Sequence, residues 1–274
     1  MDGYLRDALW FDVRDEGPAD GAPVVVLLHG FPQDGSAYDA VVPLLVEAGV
    51  RVLVPDQRGY SPRARPPGRR PYVVPELVAD VVALLDTARV AEAHVVGHDW
   101  GGAVAWAVAA RRPGRVASLT ALGTPHPAAM RAGLLRGQAL RSWYVGAFQV
   151  PRLPERALLA HDGARLRAAL VRSGLAPHRA DHYVARMSRP GALTAALAWY
   201  RALAVPSSGG TGRVRVPTTY VSARHDPFFA PASVEATAAH VDAPFTRVDL
   251  DADHWLPEHR PADVAAAVLG QVRA

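Results

Sequence analysis

A short apolar run, a glycine-rich turn and a helix-forming run follow one another near the middle of the chain. The apolar run covers 94–96 and the helix-forming run covers 103–110. Between them, Gly97 and Gly101 flank Asp99, and glycine is favoured where a strained backbone closely approaches its neighbours. A strand that passes through such a turn into a helix raises one side chain above the strand's end. We therefore predict that Asp99 stands at the edge of a buried sheet and faces a cleft.

The side chain at the top of this turn is a carboxylate, and its chemistry limits the reactions it can serve. A carboxylate that attacks a saturated carbon forms an alkyl ester, which water can cleave. A serine in its place would leave an ether, which resists hydrolysis. Asp99 therefore indicates displacement at a saturated carbon, as in the opening of an epoxide or the removal of a halide. The alternative is an ordinary aspartate that caps the following helix.

The wider pattern of strands and helices predicts an α/β fold. Continuous apolar runs such as 24–28 are typical of strands that are buried on both faces. Strands that alternate with helices imply a mostly parallel sheet with right-handed crossovers. The predicted strands cover 8–13, 24–28, 50–54, 94–96, 116–122, 218–222 and 245–250, and the helices among them cover 37–48, 76–88 and 103–110.

The alternation stops after residue 124 and resumes at 213. The residues between predict helices over 130–141, 143–149, 155–160, 163–173, 179–187 and 191–203, followed by a flexible connector at 206–212. We expect 1–124 and 213–274 to form one core, and 125–212 to form a helical lid. Because open α/β sheets bind ligands at the C-terminal ends of their strands, the lid should cover that edge.

Two polar residues follow the last two predicted strands and complete a candidate triad with Asp99. Asp226 comes soon after the strand at 218–222, and His254 follows the strand at 245–250. Nucleophile, acid and histidine follow in this order along chains of this architecture. Each residue alone has a simpler explanation, because Asp226 precedes a proline and can start a turn, while His254 is one of eleven histidines.

The proposed chemistry gives each of these side chains a different role. Asp99 is already ionised and needs no base, so His254 should deprotonate the water that attacks the ester. Asp226 should orient the imidazole and stabilise its protonated form. The oxyanion then forms on the carboxyl group of Asp99, and the backbone N–H groups of Phe31 and Trp100 are placed to stabilise it.

Short motifs along nearly the whole predicted core carry a family resemblance. They are His29-Gly30-Phe31-Pro32, Asp56-Gln57-Arg58-Gly59-Tyr60-Ser61, Gly97-His98-Asp99-Trp100-Gly101-Gly102, Thr124-Pro125-His126-Pro127, Asp226 and His254. With them the chain resembles the α/β-hydrolase family, and within it the soluble epoxide hydrolases. The resemblance implies a cis peptide bond between Phe31 and Pro32. It also implies that a lid tyrosine assists the epoxide oxygen, and Tyr200 lies in the matching segment; the alternative for Tyr200 is a core side chain that fills the lid.

The second lid tyrosine of that family has no direct counterpart in this chain. The family's residue would fall immediately before Phe148, where this chain has Ala147. Tyr144 lies about one helical turn earlier and either replaces the missing hydroxyl or only packs. We expect Tyr144 and Trp199 to contact the substrate, although a core role explains Trp199 equally well.

Three other functions stay open at this point. A haloalkane or haloacid dehalogenase would use the same triad, but related dehalogenases place Asn after the His-Gly pair or Arg after the nucleophile, where this chain has Phe31 and Trp100. A biosynthetic-pathway enzyme would use the scaffold for another substrate. A binding module that senses a small molecule without turnover would have no need of Asp226 and His254.

The amino-acid composition excludes or disfavours several kinds of chemistry and partner. The 274 residues include no cysteine, which excludes disulfides and thiolate chemistry. The net charge of +4 comes from arginines that are scattered among acidic residues, which does not favour nucleic-acid binding. No apolar run approaches the roughly 18 residues of a membrane span, and the N-terminus lacks a signal-peptide pattern.

These limits lead to a single expectation for partners and compartment. We expect a cytoplasmic enzyme that needs no cofactor or metal and that takes a small apolar epoxide and water. We expect neither nucleic acid nor membrane as a partner. The sequence leaves a homodimer open.

Overall fold

An eight-stranded sheet runs through the protein, whose computed structural model describes residues 1–19, 21–206 and 210–274. The strands are β1 (Gly3–Arg6), β2 (Leu9–Glu16), β3 (Val24–Leu28), β4 (Arg51–Pro55), β5 (Ala93–His98), β6 (Val116–Leu122), β7 (Thr218–Ala223) and β8 (Phe245–Leu250). Their order is β1-β2-β4-β3-β5-β6-β7-β8. The pairings of β1 with β2 and of β2 with β4 are antiparallel, and all the others are parallel. The predicted mostly parallel sheet is confirmed.

Helices cover both faces of the sheet. They are α1 (Val42–Glu47), α2 (Val74–Thr87), α3 (Trp100–Arg111), α4 (Pro127–Ala132), α5 (Gln138–Arg141), α6 (Trp143–Ala147), α7 (Leu153–Arg172), α8 (Pro177–Met187), α9 (Ala192–Ala202), α10 (Pro231–Glu235), α11 (Leu256–His259) and α12 (Pro261–Val272). Alternate residues of a strand point to opposite faces. On β3, Val26 and Leu28 therefore pack in the core that includes α2 and α3, whereas Val25 and Leu27 pack with α1 and α12.

Two helices differ from the pattern predicted from the sequence. The predicted helix at 37–48 is a 3-10 turn at Gly35–Tyr38 followed by α1, and Pro43 lies in the first turn of α1. Proline is favoured there because it has no N–H to donate, and it would interrupt one continuous helix. The predicted helix at 130–141 is broken into α4, a 3-10 turn and α5, and Gly137 adopts φ +98° at the second break. Strand β1 and helices α10, α11 and α12 were not predicted.

Helices α4 to α9 form a helical insertion between β6 and β7. Within α7, the backbone from Ala160 to Gly163 is not helical, which agrees with the predicted break between 160 and 163. Arg186 of α8 binds Asp34 and Asp56, at 2.7 and 2.6 Å, and thereby ties the insertion to the core. Part of the predicted connector, 207–209, lies outside the described residues. The boundaries of a lid at 125 and 212 stay a prediction.

Candidate active site

The turn between β5 and α3 has the strained geometry that its sequence predicts. Asp99 adopts φ +51° and ψ −120°. A Cβ on Gly97 would lie 2.2 Å from the carbonyl oxygen of Gly101, and a Cβ on Gly101 would lie 2.1 Å from the carbonyl oxygen of Leu28. Both neighbours are backbone atoms that cannot move aside. A non-glycine residue in such a conformation costs on the order of 1–3 kcal/mol, which the packed turn must offset.

A backbone N–H group holds the carboxylate of Asp99 from one side. The N–H of Phe31 donates to Oδ1 at 2.8 Å, and the N–H of Trp100 contributes to lowering the pKa of this carboxylate. Gly30 permits the approach, because a Cβ there would lie 2.3 Å from the Cβ of Asp99. The peptide bond between Phe31 and Pro32 is cis, as the family resemblance implies.

The loops after β7 and β8 bring Asp226 and His254 to the same edge of the sheet as Asp99. The Nδ1 of His254 donates to Oδ2 of Asp226 at 2.8 Å, and the N–H of Phe228 donates to Oδ1 of Asp226 at 2.7 Å. The Nε2 of His254 lies 3.9 Å from Oδ2 of Asp99. Because Nδ1 carries the proton, the lone pair of Nε2 is directed toward Asp99.

For Asp99 and for His254, burial and the neighbouring charges shift the pKa in opposite directions. Desolvation raises the pKa of Asp99, and the neighbouring His254 and the two N–H donors oppose that rise. Burial alone would lower the pKa of His254, but the carboxylate of Asp226, helped by Asp99, outweighs it, so the pKa of His254 is raised. The imidazole is therefore held close to an acid that stabilises its protonated form.

Two tyrosines of the helical insertion face Asp99 across a cavity. Tyr200 comes from α9 and Tyr144 from α6, and their ring centroids are 6.0 Å apart. Burial raises the pKa of both phenols, and the negative charge of Asp99 adds to the rise in both. The ring of Trp100 packs edge-on against the ring of Tyr200, with centroids 5.0 Å apart, and the Trp100 side chain opposes the rise in the pKa of that phenol.

The residue that takes the position of the family's second tyrosine is not part of the cavity wall. Ala147 is exposed and lies outside the cavity lining, whereas Tyr144 lines it. Trp199 also lines the cavity, but it is only 1% exposed, and its Nε1 donates to the carbonyl oxygen of Arg58 at 2.8 Å. Trp199 therefore forms a fixed wall that joins α9 to the core.

The cavity between the insertion and the sheet has a volume of about 790 Å³. Asp99, Trp100, Tyr144 and Tyr200 line it together with Phe228, which packs edge-on against His254 at 4.7 Å between centroids. Much of the remaining wall is aliphatic or aromatic. Such a cavity suits an apolar small molecule with one reactive polar group.

A buried polar network, which was not predicted from the sequence, connects the loops that carry the site. His98 contacts the backbone oxygen of His254 through Nε2 and the Oε1 of Gln33 through Nδ1, both at 2.8 Å. Gln33 also accepts from the N–H of Gly30 at 3.1 Å and donates to Glu258 at 2.9 Å. One amide therefore links the histidine loop to the loop that presents Phe31. The sequence gives one indication of this network, namely the position of its residues. His98 directly precedes Asp99, and Gln33 directly follows Phe31-Pro32.

The described residues offer neither a cluster of metal ligands nor a membrane-spanning helix. Within 1–19, 21–206 and 210–274, no group of three or more His, Asp or Glu side chains is arranged to hold a metal ion. No helix in those ranges has the length and apolar character needed to cross a membrane.

Comparison with known proteins decides the family. The sequence profile of the α/β hydrolase fold matches residues 23–261. The chain belongs to the α/β-hydrolase family. This α/β-hydrolase is 36% identical to the AB hydrolase superfamily protein YfhM of Bacillus subtilis, over 94% of this chain and 92% of the relative.

Epoxide hydrolases are among the relatives of this α/β-hydrolase. It is 32% identical to Epoxide hydrolase A of Mycobacterium tuberculosis, over 93% of this chain and 91% of the relative. The crystal structure of Epoxide Hydrolase A from Mycobacterium thermoresistibile superposes with a TM-score of 0.84 at 26% identity, over 99% of this chain and 97% of that one. The predicted likeness to epoxide hydrolases is confirmed, and the chain is an epoxide hydrolase-like α/β-hydrolase.

Proposed function

We propose that this α/β-hydrolase opens an epoxide to a vicinal diol through an alkyl ester on Asp99. One observation carries the proposal: a carboxylate and two tyrosines line one largely apolar cavity, and a histidine paired with an acid lies beside that carboxylate. The named relatives that are epoxide hydrolases support the substrate class.

The first step is displacement by the free oxygen of Asp99. Because the N–H of Phe31 holds Oδ1, Oδ2 is the atom available to attack a ring carbon. The new bond forms between Oδ2 and that carbon, while the bond from the carbon to the epoxide oxygen breaks. The electron pair moves to the oxygen, which takes a proton from Tyr200 or Tyr144. Proton transfer of this kind contributes typically about 10²- to 10⁴-fold to a rate.

The second step is hydrolysis of the ester. His254 takes a proton from a water molecule, and the resulting hydroxide attacks the carboxyl carbon of Asp99. Negative charge develops on Oδ1, which already accepts from the N–H of Phe31, and the N–H of Trp100 would serve as the second donor. Collapse of the intermediate breaks the carbon–oxygen bond of the ester, and the released alkoxide takes a proton from His254. Asp99 is left as a carboxylic acid that contains one oxygen atom from water. Its proton returns to the tyrosine phenolate formed in the first step, and Asp99 regains its charge.

The two tyrosines favour an epoxide over a haloalkane, because an epoxide oxygen needs a proton as the ring opens and a departing halide does not. Trp100 beside Asp99 would suit a halide site, but the ring of Tyr200 packs against it with centroids 5.0 Å apart. The Trp100 side chain also opposes the rise in the pKa of Tyr200, which favours the phenolate that remains after the proton has moved to the epoxide oxygen. We also propose that 125–212 acts as the lid that excludes bulk water, and that Trp199 forms part of the substrate-binding wall.

The test is a single turnover in ¹⁸O-water with enzyme in excess over a panel of epoxides and haloalkanes. We expect a diol to form and one ¹⁸O atom to appear in the peptide that contains Asp99. Label that appears only with a haloalkane would support the dehalogenase alternative. A diol without label on Asp99 would rule out Asp99 as the nucleophile.

A further inference from the structure

The cavity has a second polar region at the end opposite to Asp99. Its wall follows α3, which begins at Trp100 beside the carboxylate and ends at Arg111. At 1.5 Å per residue, these two positions are ~16 Å apart along the helix. Apolar side chains line the same cavity, among them Ala103, Met130, Leu134 and Leu203. The cavity therefore extends along α3 from the neighbourhood of Asp99 to Arg111, and much of its wall is apolar.

Two arginine side chains lie close to Gly210 at the far end of the cavity. Arg111 donates to the carbonyl oxygen of Gly210 at 3.0 Å, and a Cβ on Gly210 would lie 3.3 Å from a terminal nitrogen of Arg131. Both arginines line the cavity. Arg131 forms no ion pair with any carboxylate in the part of the chain that the structure describes. Its charge is thus available to a ligand.

Two histidines lie near Arg131 without neutralising its charge. The rings of His126 and His240 stack with centroids 4.6 Å apart. Burial, His240 and Arg131 lower the pKa of His126 to about 4, and burial, Arg213 and Arg131 lower the pKa of His240. Both imidazoles are therefore neutral above pH 7, so neither competes with an anion for Arg131.

We propose that Arg131, assisted by Arg111, binds an anionic group of the substrate. The substrate class is then an amphiphilic epoxide, with a carboxylate or comparable anion at the mouth and an apolar chain that reaches ~16 Å along α3 to Asp99. The claim that the substrate is an epoxide rests on the proposed function, whereas the claim that Arg131 binds an anion does not. Because Arg131 is exposed, the charged group stays hydrated while the chain is buried.

The decisive experiment measures binding without turnover. Dodecanoate and dodecan-1-ol are titrated into the intact protein at pH 8 by calorimetry, with wild type, Arg131→Gln and Arg136→Gln. Arg136 is the matched control, because it is exposed in the same insertion, carries the same charge and does not line the cavity. We expect wild type to bind dodecanoate about fivefold more tightly than dodecan-1-ol, which corresponds to one solvated ion pair. Arg131→Gln should remove that preference and leave dodecan-1-ol binding unchanged, whereas Arg136→Gln should retain it.

Two results would overturn the subsite: equal affinity of wild type for the acid and the alcohol, or an equal loss in Arg131→Gln and Arg136→Gln. A matched pair of epoxides then tests turnover, one with a terminal carboxylate and one with its methyl ester. We expect a lower KM for the acid, at similar kcat, that depends on Arg131. If dodecanoate binds through Arg131 but neither epoxide is hydrolysed, the subsite stands and the epoxide hydrolase proposal fails.

Discussion

The Nε2 of His254 lies 3.9 Å from Oδ2 of Asp99, which is beyond the range of a hydrogen bond. At this separation one water molecule can contact both atoms. The imidazole is therefore placed to act on water rather than on the carboxylate. This arrangement agrees with the proposed mechanism, in which Asp99 attacks without a base and hydrolysis of the ester on Asp99 requires one.

Replacement of His254 should separate the two steps of the reaction. With His254→Gln, we expect Asp99 to open the epoxide while hydrolysis of the ester slows by at least about 10²-fold, because the general base is missing. Intact-protein mass spectrometry should then show an adduct of the mass of the epoxide. The double variant Asp99→Ala/His254→Gln is the control and should show no adduct. An adduct on the double variant would mean that another residue is the nucleophile.

The pH dependence of ester hydrolysis should report His254. Only neutral imidazole can accept a proton from water, so the hydrolysis rate should rise with pH through the pKa of His254. In the free enzyme, Asp226 and Asp99 raise that pKa above its ordinary value. The ester removes the charge of Asp99, so the midpoint for hydrolysis should lie below the midpoint of His254 in the free enzyme. Single-turnover rates and an NMR titration give the two values, and a hydrolysis midpoint above the free-enzyme value would contradict the assignment.

The two tyrosines should act on ring opening and not on ester hydrolysis. We expect Tyr200→Phe and Tyr144→Phe each to slow formation of the adduct in the His254→Gln background, by about 10²-fold where a proton donor is lost. Ala147 provides a sharp control, because it is exposed and outside the cavity lining. Ala147→Tyr should therefore fail to rescue Tyr144→Phe. Rescue would show that the family's usual position, rather than Tyr144, supplies the hydroxyl.

Turns and strands that are determined by short stretches of residues could be predicted from the sequence. The turn at Asp99 could be predicted because glycines on both sides leave few other conformations, and the strands at Val24–Leu28, Val116–Leu122 and Phe245–Leu250 match their predicted bounds. The positions of Asp226 and His254 followed from the rule that parallel strands end at one edge.

Features that depend on distant contacts could not be predicted from the sequence. The network of His98, Gln33 and Glu258 joins residues that are 65 and 225 positions apart, so periodicity gives no sign of it. The same limit applied to Tyr144, because whether it or residue 147 faces the cavity depends on the orientation of the short helix α6. The arginines at the far end of the cavity also meet only through folding.

Two glycine substitutions should have opposite effects on stability, because their surroundings differ. An added Cβ at Gly101 would lie 2.1 Å from the carbonyl oxygen of Leu28, so Gly101→Ala should destabilise the fold by about 1–3 kcal/mol. Gly270 lies on the exposed side of α12 with no atom within 4 Å of an added Cβ, so Gly270→Ala should stabilise it by about 0.5–1 kcal/mol. Urea unfolding measures both changes. Gly101→Ala should also reduce turnover far more than its loss of stability explains, because any shift of the turn moves Asp99 away from the N–H of Phe31. A fully active and equally stable Gly101→Ala variant would contradict the close packing of the turn against β3.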